Sequence, residues 1–316
     1  MKQREVIIIL ISLNELSEVK GIGKKTLQRI REYKLKQKKY VSEYDKNLHL
    51  DKSSINLGDC LELMNGIKDN SVDMVLCDLP YQMTSCNWDN IIDLDKLWQQ
   101  YERIIKDDGA IVLTSSQPFT TKLINSNIKL FKYEWIWEKS RGSNFVHSKY
   151  RPLKVHENIL VFSKKPSAYN SKKEFMKYNP QMKEGKPYNK GRVINDSELL
   201  QGKYKEFNGI NKSGKRFPRS KIYFKCSKGG LHPTQKPVEL FRYLIRTYTN
   251  KGDLVLDNTS GSGVTAISSM LENRNYICIE KSKDYYDKSV CWRDLVEQGV
   301  NYKKAMKKTK KHFDNK

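Results

Sequence analysis

Residues 254–280 read LVLDNTSGSGVTAISSMLENRNYICIE. Residues 254–256 form an apolar run of strand length, Gly261 and Gly263 break it with a turn, and residues 264–271 carry apolar side chains at helical spacing. A second apolar run, 276–279, ends on Glu280. Strand, glycine turn, helix and strand make one βαβ unit. The glycines let backbone approach a ligand closely, and Glu280, 17 residues after Gly263, stands where ribose hydroxyls would donate to it. The unit therefore predicts an adenosine-containing cofactor. By spacing alone it fits a dinucleotide fingerprint too, so NAD is a rival at this point. Without a lysine after the glycines, a phosphate-binding loop for ATP hydrolysis is disfavoured.

Working outward, residues 237–249 place Val238, Phe241, Leu244, Ile245 and Tyr248 on one helical stripe. Residues 55–57, 72–77, 110–114, 133–137 and 158–162 read as strands, and 93–106 as an amphipathic helix through Leu94, Leu97, Trp98, Tyr101 and Ile105. This alternation predicts an α/β fold with a doubly wound, mostly parallel sheet and helices on both faces. The strand 72–77 runs straight into Asp78-Leu79-Pro80-Tyr81, at the end of a strand where open α/β sheets place ligand chemistry. There Asp78 and the Leu79 carbonyl could accept the two hydrogens of an exocyclic amine while Tyr81 stacks on its ring. A plain surface turn is the alternative for so short a motif.

The chain has 316 residues, 59 Lys and Arg against 36 Asp and Glu, a formal charge of +23 and a pI near 9.6. A polyanionic partner follows. Its 38% hydrophobic content still supports a packed core, although a mean hydropathy of −0.73 places part of the chain outside it. The charge is uneven: 11 basic and 4 acidic residues in 1–40, 18 and 5 in 164–228, and 7 and 1 in 303–316. The remainder is close to neutral. Residues 13–33, LNELSEVKGIGKKTLQRIREY, resemble a helix-hairpin-helix whose Gly21 and Gly23 would offer backbone N–H groups to a DNA phosphate beside Lys24 and Lys25. An ordinary basic helical hairpin is the alternative. Six scattered cysteines with no C-x-x-C pair suggest neither disulfides nor a metal site, and the eight-residue apolar run 6–13 is too short to cross a membrane, so a cytoplasmic protein is expected.

Three stretches then resemble one family: CDLPYQMTSCNWD (77–89), HPTQKPVELFRYLI (232–245) and LVLDNTSGSGVTAI (254–267). Together they are similar to the DNA amino-methyltransferases that use S-adenosylmethionine. Their order looks like the β group, and the stretch 133–162 looks like phage and prophage members. The resemblance spans about residues 53–298. It implies a Rossmann-like methyltransferase sheet with a circularly permuted motif order over 41–302, a basic target-recognition insertion at 164–228, a small N-terminal helical segment at 1–40 and a frayed basic tail at 303–316.

Carried over residue by residue, the resemblance gives Asp78, Leu79, Pro80 and Tyr81 as the catalytic tetrapeptide. The cofactor set is Asp59 and Cys60 in the turn near adenine, Glu280 at the ribose, and Asp257, Asn258, Thr259, Gly261, Ser262 and Gly263 around the methionine part. His232, Thr234, Gln235 and Lys236 would help hold the methionine end. Lys215, Arg216 and Arg219 would contact double-stranded DNA. No metal is implied. An aspartate opening the tetrapeptide is usual for adenine N6 and a serine for cytosine N4, so adenine is expected. Leu79 for the commoner proline, Gln82 for glycine, Ser260 for a bulkier residue and Val264-Thr265 where two hydroxyl residues are frequent are departures. Cytosine-N4 transfer and a non-catalytic DNA-binding protein on a decayed scaffold are the competing readings. Oligomeric state, including a homodimer, a cognate restriction endonuclease or a phage context, and the recognition sequence stay open. His156-Glu157 is read as structural, and His147 as scaffold.

Overall fold

The computed structural model describes residues 50–81, 92–168, 174–194 and 206–315. The helix-hairpin-helix reading with Gly21, Gly23, Lys24 and Lys25, the apolar run 6–13, and Gln82, Trp88 and Asp89 lie outside the described residues. In chain order the strands are β1 (Ser54–Leu57), β2 (Val72–Asp78), β3 (Ile105–Ser115), β4 (Phe131–Ser143), β5 (Lys154–Phe162), β6 (Tyr188–Ile194), β7 (Glu206–Asn211), β8 (Lys221–Phe224), β9 (Leu254–Asp257) and β10 (Asn275–Glu280). The helices are α1 (Cys60–Leu63), α2 (Leu94–Ile104), α3 (Phe119–Ser126), α4 (Val238–Tyr248), α5 (Val264–Leu271), α6 (Lys283–Glu297) and α7 (Tyr302–Asp314).

Eight strands form one sheet in the order β1-β10-β9-β2-β3-β5-β4-β8, and β6 pairs with β7 as a separate antiparallel hairpin. From β1 to β3 every pairing is parallel, while β5 runs antiparallel between β3 and β4. From β2 the chain passes through α2 to β3 on one side, and from β9 through α5 to β10 on the other. Because β2 and β9 are neighbours, the winding reverses between them, and a crevice opens at their carboxyl ends. Those ends are Asp78 and Asp257.

Central strands need apolar residues on both faces of such a sheet, and Val72 to Cys77 are all buried. Met74 and Leu76 pack with Leu240, Phe241, Leu244 and Ile245 of α4 and Val264 and Ile267 of α5. Cys77, one residue out of phase, meets the other layer, where Tyr101 of α2 reaches its sulfur at 3.7 Å and Trp98 lies 4.9 Å from the Phe162 ring. Asp93 caps α2 by accepting from the Lys96 N–H.

Two sequence expectations are corrected. The tail expected to fray from 303 is, over Tyr302–Asp314, the helix α7, which buries Ala305 and Thr309 and receives the Trp292 indole N–H on Tyr302 O at 2.9 Å. Its fully buried positions are few but fall at i, i+4, which charge-dominated composition obscures. Residues 164–228 are not one insertion. Met176 is buried in the core, Lys177 pairs with Asp253 at 2.7 Å and Asp73 at 3.2 Å, and β8 joins β4 as the last strand of the sheet. What stands apart is the β6–β7 hairpin, closed at its base by the Lys183–Arg216 backbone bridge.

Candidate active site

Four chain segments converge on the β2–β9 crevice. The glycine turn after β9 is built by conformation: Gly261 has φ +50° and Gly263 φ +83°, and a Cβ at Gly263 would sit 2.9 Å from Ser289 Cβ. Glu280 ends the adjacent strand and grips this turn, accepting from the Gly261 N–H at 2.7 Å through one oxygen and from the Ser282 N–H at 2.7 Å through the other. Burial raises the Glu280 pKa above the ordinary value despite these bonds. Asp257 is deeper; burial pushes it up to about 7 against hydrogen bonds from the Thr265 hydroxyl at 2.5 Å and the Thr259 N–H at 3.1 Å.

The turn is tied to its neighbours on both sides. Gly58 N–H donates to Glu280 O at 3.0 Å, and Asp59 then caps α1 by accepting from Leu61 N–H at 2.9 Å while Lys281 reaches its other oxygen at 3.1 Å. Burial raises the Cys60 thiol pKa, opposed by a hydrogen bond with Asn258, whose carboxamide oxygen accepts from the Tyr101 hydroxyl at 2.5 Å. Thr259 donates to Asp78 O at 3.3 Å. The left-handed glycines, the carboxylate at the next strand tip and a buried Ser260 hydroxyl without a partner among the described residues make a cradle suited to a nucleoside-bearing ligand.

At the tip of β2, Asp78 accepts from the Tyr81 hydroxyl at 2.6 Å and from the Thr114 hydroxyl on Oδ1. Lys236 Nζ lies 2.5 Å from Oδ2. Lys236 is only 7% exposed and also faces Glu157 Oε2 at 3.5 Å, while Lys139 holds the other Glu157 oxygen at 2.9 Å. Burial works against the Lys236 ammonium, but Asp78 and Glu157 outweigh it, so its pKa is raised. Burial likewise opposes ionised Glu157, and Lys236 and Lys139 hold it below the usual carboxylate value. The crevice thus carries a buried, alternating chain of charge, Asp78, Lys236, Glu157 and Lys139.

The structure divides what the sequence grouped. His232 stacks its edge on Gly261, 3.7 Å from where a Cβ would be, and its Nδ1 takes the Thr234 N–H at 3.2 Å. Burial lowers its pKa to about 4. Gln235 closes its own loop by accepting from the Leu231 N–H at 2.8 Å, and Lys236 reaches Asp78 Oδ2 at 2.5 Å. Tyr81 does not present an open ring: it stacks on Phe119 with centroids 5.2 Å apart. Glu157 carries more than scaffold, for strand alternation turns it inward and leaves His156 exposed. Thr114, Lys139 and Phe119 were not assigned from sequence and Glu157 was read only as structural; the one signal available is a polar Thr114 near the end of an otherwise buried apolar strand. Lys215 and Arg219 are exposed, but Arg216 is half-buried, lies 4.6 Å from the Tyr188 ring centre and donates to Gly214 O at 2.6 Å, so it clasps the hairpin base.

Against known proteins, residues 72–290 match a family described as DNA methylase. The chain belongs to that family. The methylase is 27% identical over 280 residues to the type II methyltransferase M2.MboI of Moraxella bovis, covering 80% of this chain and 89% of that protein. It is 26% identical over 243 residues to the DNA adenine methyltransferase YhdJ of Escherichia coli (strain K12), covering 72% and 78%. The solved PvuII DNA methyltransferase, cytosine-N4-specific, has a TM-score of 0.56 at 17% identity over 84% of the methylase and 94% of its own chain. That likeness supports the α/β methyltransferase fold. No described helix of the methylase is long and apolar enough to cross a membrane.

Proposed function

We propose that this methylase transfers the methyl group of S-adenosylmethionine to the N6 amino group of adenine in a specific sequence of double-stranded DNA, with the base rotated out of the helix. The observation that carries the reading is Asp78. It ends β2 beside the glycine cradle, with Lys236 on one carboxylate oxygen and its other oxygen directed at two hydroxyls. Adenine rather than cytosine rests on aspartate at this position, which the family resemblance associates with N6 chemistry.

When bound, the cofactor supplies an electrophilic methyl group. Gly261, Ser262 and Gly263, with Asp257, Asn258, Thr259, Glu280, Asp59, Cys60 and His232, are the residues that would hold it. The chain's own chemistry lies at the amine. An adenine amine is a weak nucleophile because its lone pair is delocalised into the ring. Asp78 Oδ1 and the Leu79 carbonyl accept its two hydrogens, which favours the pyramidal nitrogen of the transition state. Lys236 occupies Oδ2 and so leaves Oδ1 as the acceptor. The incoming amine therefore exchanges with the Tyr81 hydroxyl, and the freed tyrosine ring, released from Asp78, can stack on the base, worth ~1–3 kcal/mol.

Incubation with DNA and labelled S-adenosylmethionine, followed by digestion and nucleoside analysis, tests the reading. N6-methyl-2′-deoxyadenosine from the wild type and none from Asp78→Ala is the expected pair of results. A product containing only N4-methylcytosine would move the reading to cytosine. Unmethylated DNA bound equally by both proteins would identify a non-catalytic binding protein.

A further inference from the structure

The β4–β5 hairpin runs past the end of the sheet on the catalytic side. Ser115, the last residue of β3, pairs with Asn158, yet β5 begins at Lys154, where it pairs with Ser143 of β4. Lys154 therefore stands roughly 10 Å beyond Glu157, at 3.3 Å per residue, and the tip 144–153 lies farther out. Glu157 itself belongs to the catalytic charge chain, so the hairpin rises directly from the site. Its tip is ordered by a short 3-10 turn, Phe145–His147, with the Tyr150 and Arg151 N–H groups both donating to His147 O.

This tip is apolar where solvent exposure makes that costly. Phe145 is 77% exposed, Val146 87% and Tyr150 86%, and Leu153 and Val155 continue the patch down the hairpin. Around it stand Arg141, Lys149, Arg151 and Lys154, and residues 139–156 contain no Asp or Glu. An apolar point inside an all-cationic collar, on the edge that receives the substrate base, is complementary to an opened duplex: stacked bases for the point and phosphates for the collar.

We propose that Phe145, Val146 and Tyr150 form a wedge that enters the DNA duplex and fills the space vacated by the target base, while Arg141, Lys149 and Arg151 hold the flanking phosphates. The proposal rests on the DNA-methylating reading above and names how that site opens its substrate. The paired strand left behind loses its stacking partner, and the wedge replaces it.

The test compares wild type with a Phe145→Ser, Val146→Ser double variant, both of which change exposed residues, on two duplexes of the same sequence. In one the target base is paired; in the other it faces an abasic site, so little pairing is lost on flipping. The expected result is a fall in kcat/KM of about tenfold or more on the paired duplex, as loss of help with a step costing a few kcal/mol implies, and near wild-type rates on the abasic one. Melting temperature and S-adenosylmethionine affinity should be unchanged. Equal rates on the paired duplex, or equal losses on both duplexes, would overturn the wedge while leaving the methylating activity standing. No methylation of either duplex by the wild type would instead remove the functional reading on which the wedge rests.

Discussion

The side chain that most sharpens the picture is Lys236, because it stands between two carboxylates that would otherwise repel one another in a buried crevice. Lys236→Met leaves Asp78 without its cation and Glu157 with Lys139 alone, and is expected to cost about 3–5 kcal/mol of stability, the usual penalty for breaking a buried pair. Adding Glu157→Gln removes one half-paired charge and should return part of the melting temperature. Methylation should stay at least about a hundredfold down, in the range found when one electrostatic interaction with a transition state is removed, because Asp78 no longer has the group that directs it. Recovery of activity together with stability would make the lysine structural only. Asp257 gives a pH signature. Its folded pKa of about 7 lies above the ordinary value, so its stabilising share is complete in acid and lost as pH rises through about 7. A cationic ligand seated beside it favours the ionised form, so cofactor binding should expel a proton and tighten as pH rises through the same range. Calorimetry in two buffers of different ionisation enthalpy reads that proton directly, and Asp257→Asn should abolish the buffer dependence.

Among the elements, the turn between β9 and α5 makes the most exacting demand. Gly263 needs a left-handed backbone and also lies against Ser289 of α6, whereas Gly252 has a similar φ of +82° and open space around it. Gly263→Ala should therefore lose roughly 1–3 kcal/mol from backbone strain, more from the clash, and cofactor affinity besides. Gly252→Ala should show the backbone cost alone with unchanged affinity. Thermal melts and cofactor titration of the two variants separate these effects, and equal behaviour would mean that the packing against α6 is slack. This turn was fully legible in sequence because strand, glycine and helix signals are local, and α5 falls on the residues its periodicity predicts. The charge chain around Asp78 was not. Lys236, Glu157 and Lys139 come from three segments, and only the antiparallel insertion of β5 beside β3 brings Glu157 to Asp78. Register of that kind has no local signature. Tyr81 illustrates the same limit: its motif predicts a stacking ring, while its resting partner, Phe119, depends on how α3 packs.

For the molecule as a whole, the net charge of +23 separates into charge that holds the fold and charge that faces outward. Lys177 and Arg216 lie in the basic segment read as a DNA-recognition insertion, yet one pins the chain to Asp73 and Asp253 and the other clasps a hairpin base. The helix α7 divides the same way. Ala305 and Thr309 face inward, and Lys303, Lys304, Lys307, Lys308 and Lys311 are exposed. Lys310 lines a cavity of about 430 Å³ with Lys288 and His232, the residue that lies against Gly261, so the basic face begins next to the candidate site. Replacing the five exposed lysines with glutamine should leave the melting temperature nearly unchanged, since these side chains stand on the solvent side of the helix and glutamine forms helix about as readily as lysine. It should weaken DNA binding and lower the slope of log affinity against log salt by ~0.9 for each phosphate left unneutralised. The methylated sequence should not change, because phosphate contacts position a protein without reading bases. Truncation before Tyr302 should behave differently and lower the melting temperature, uncovering Trp292 and removing the Tyr302 hydroxyl from Glu239. If the glutamine variant keeps the wild-type salt slope, α7 faces away from DNA and its lysines serve solubility alone.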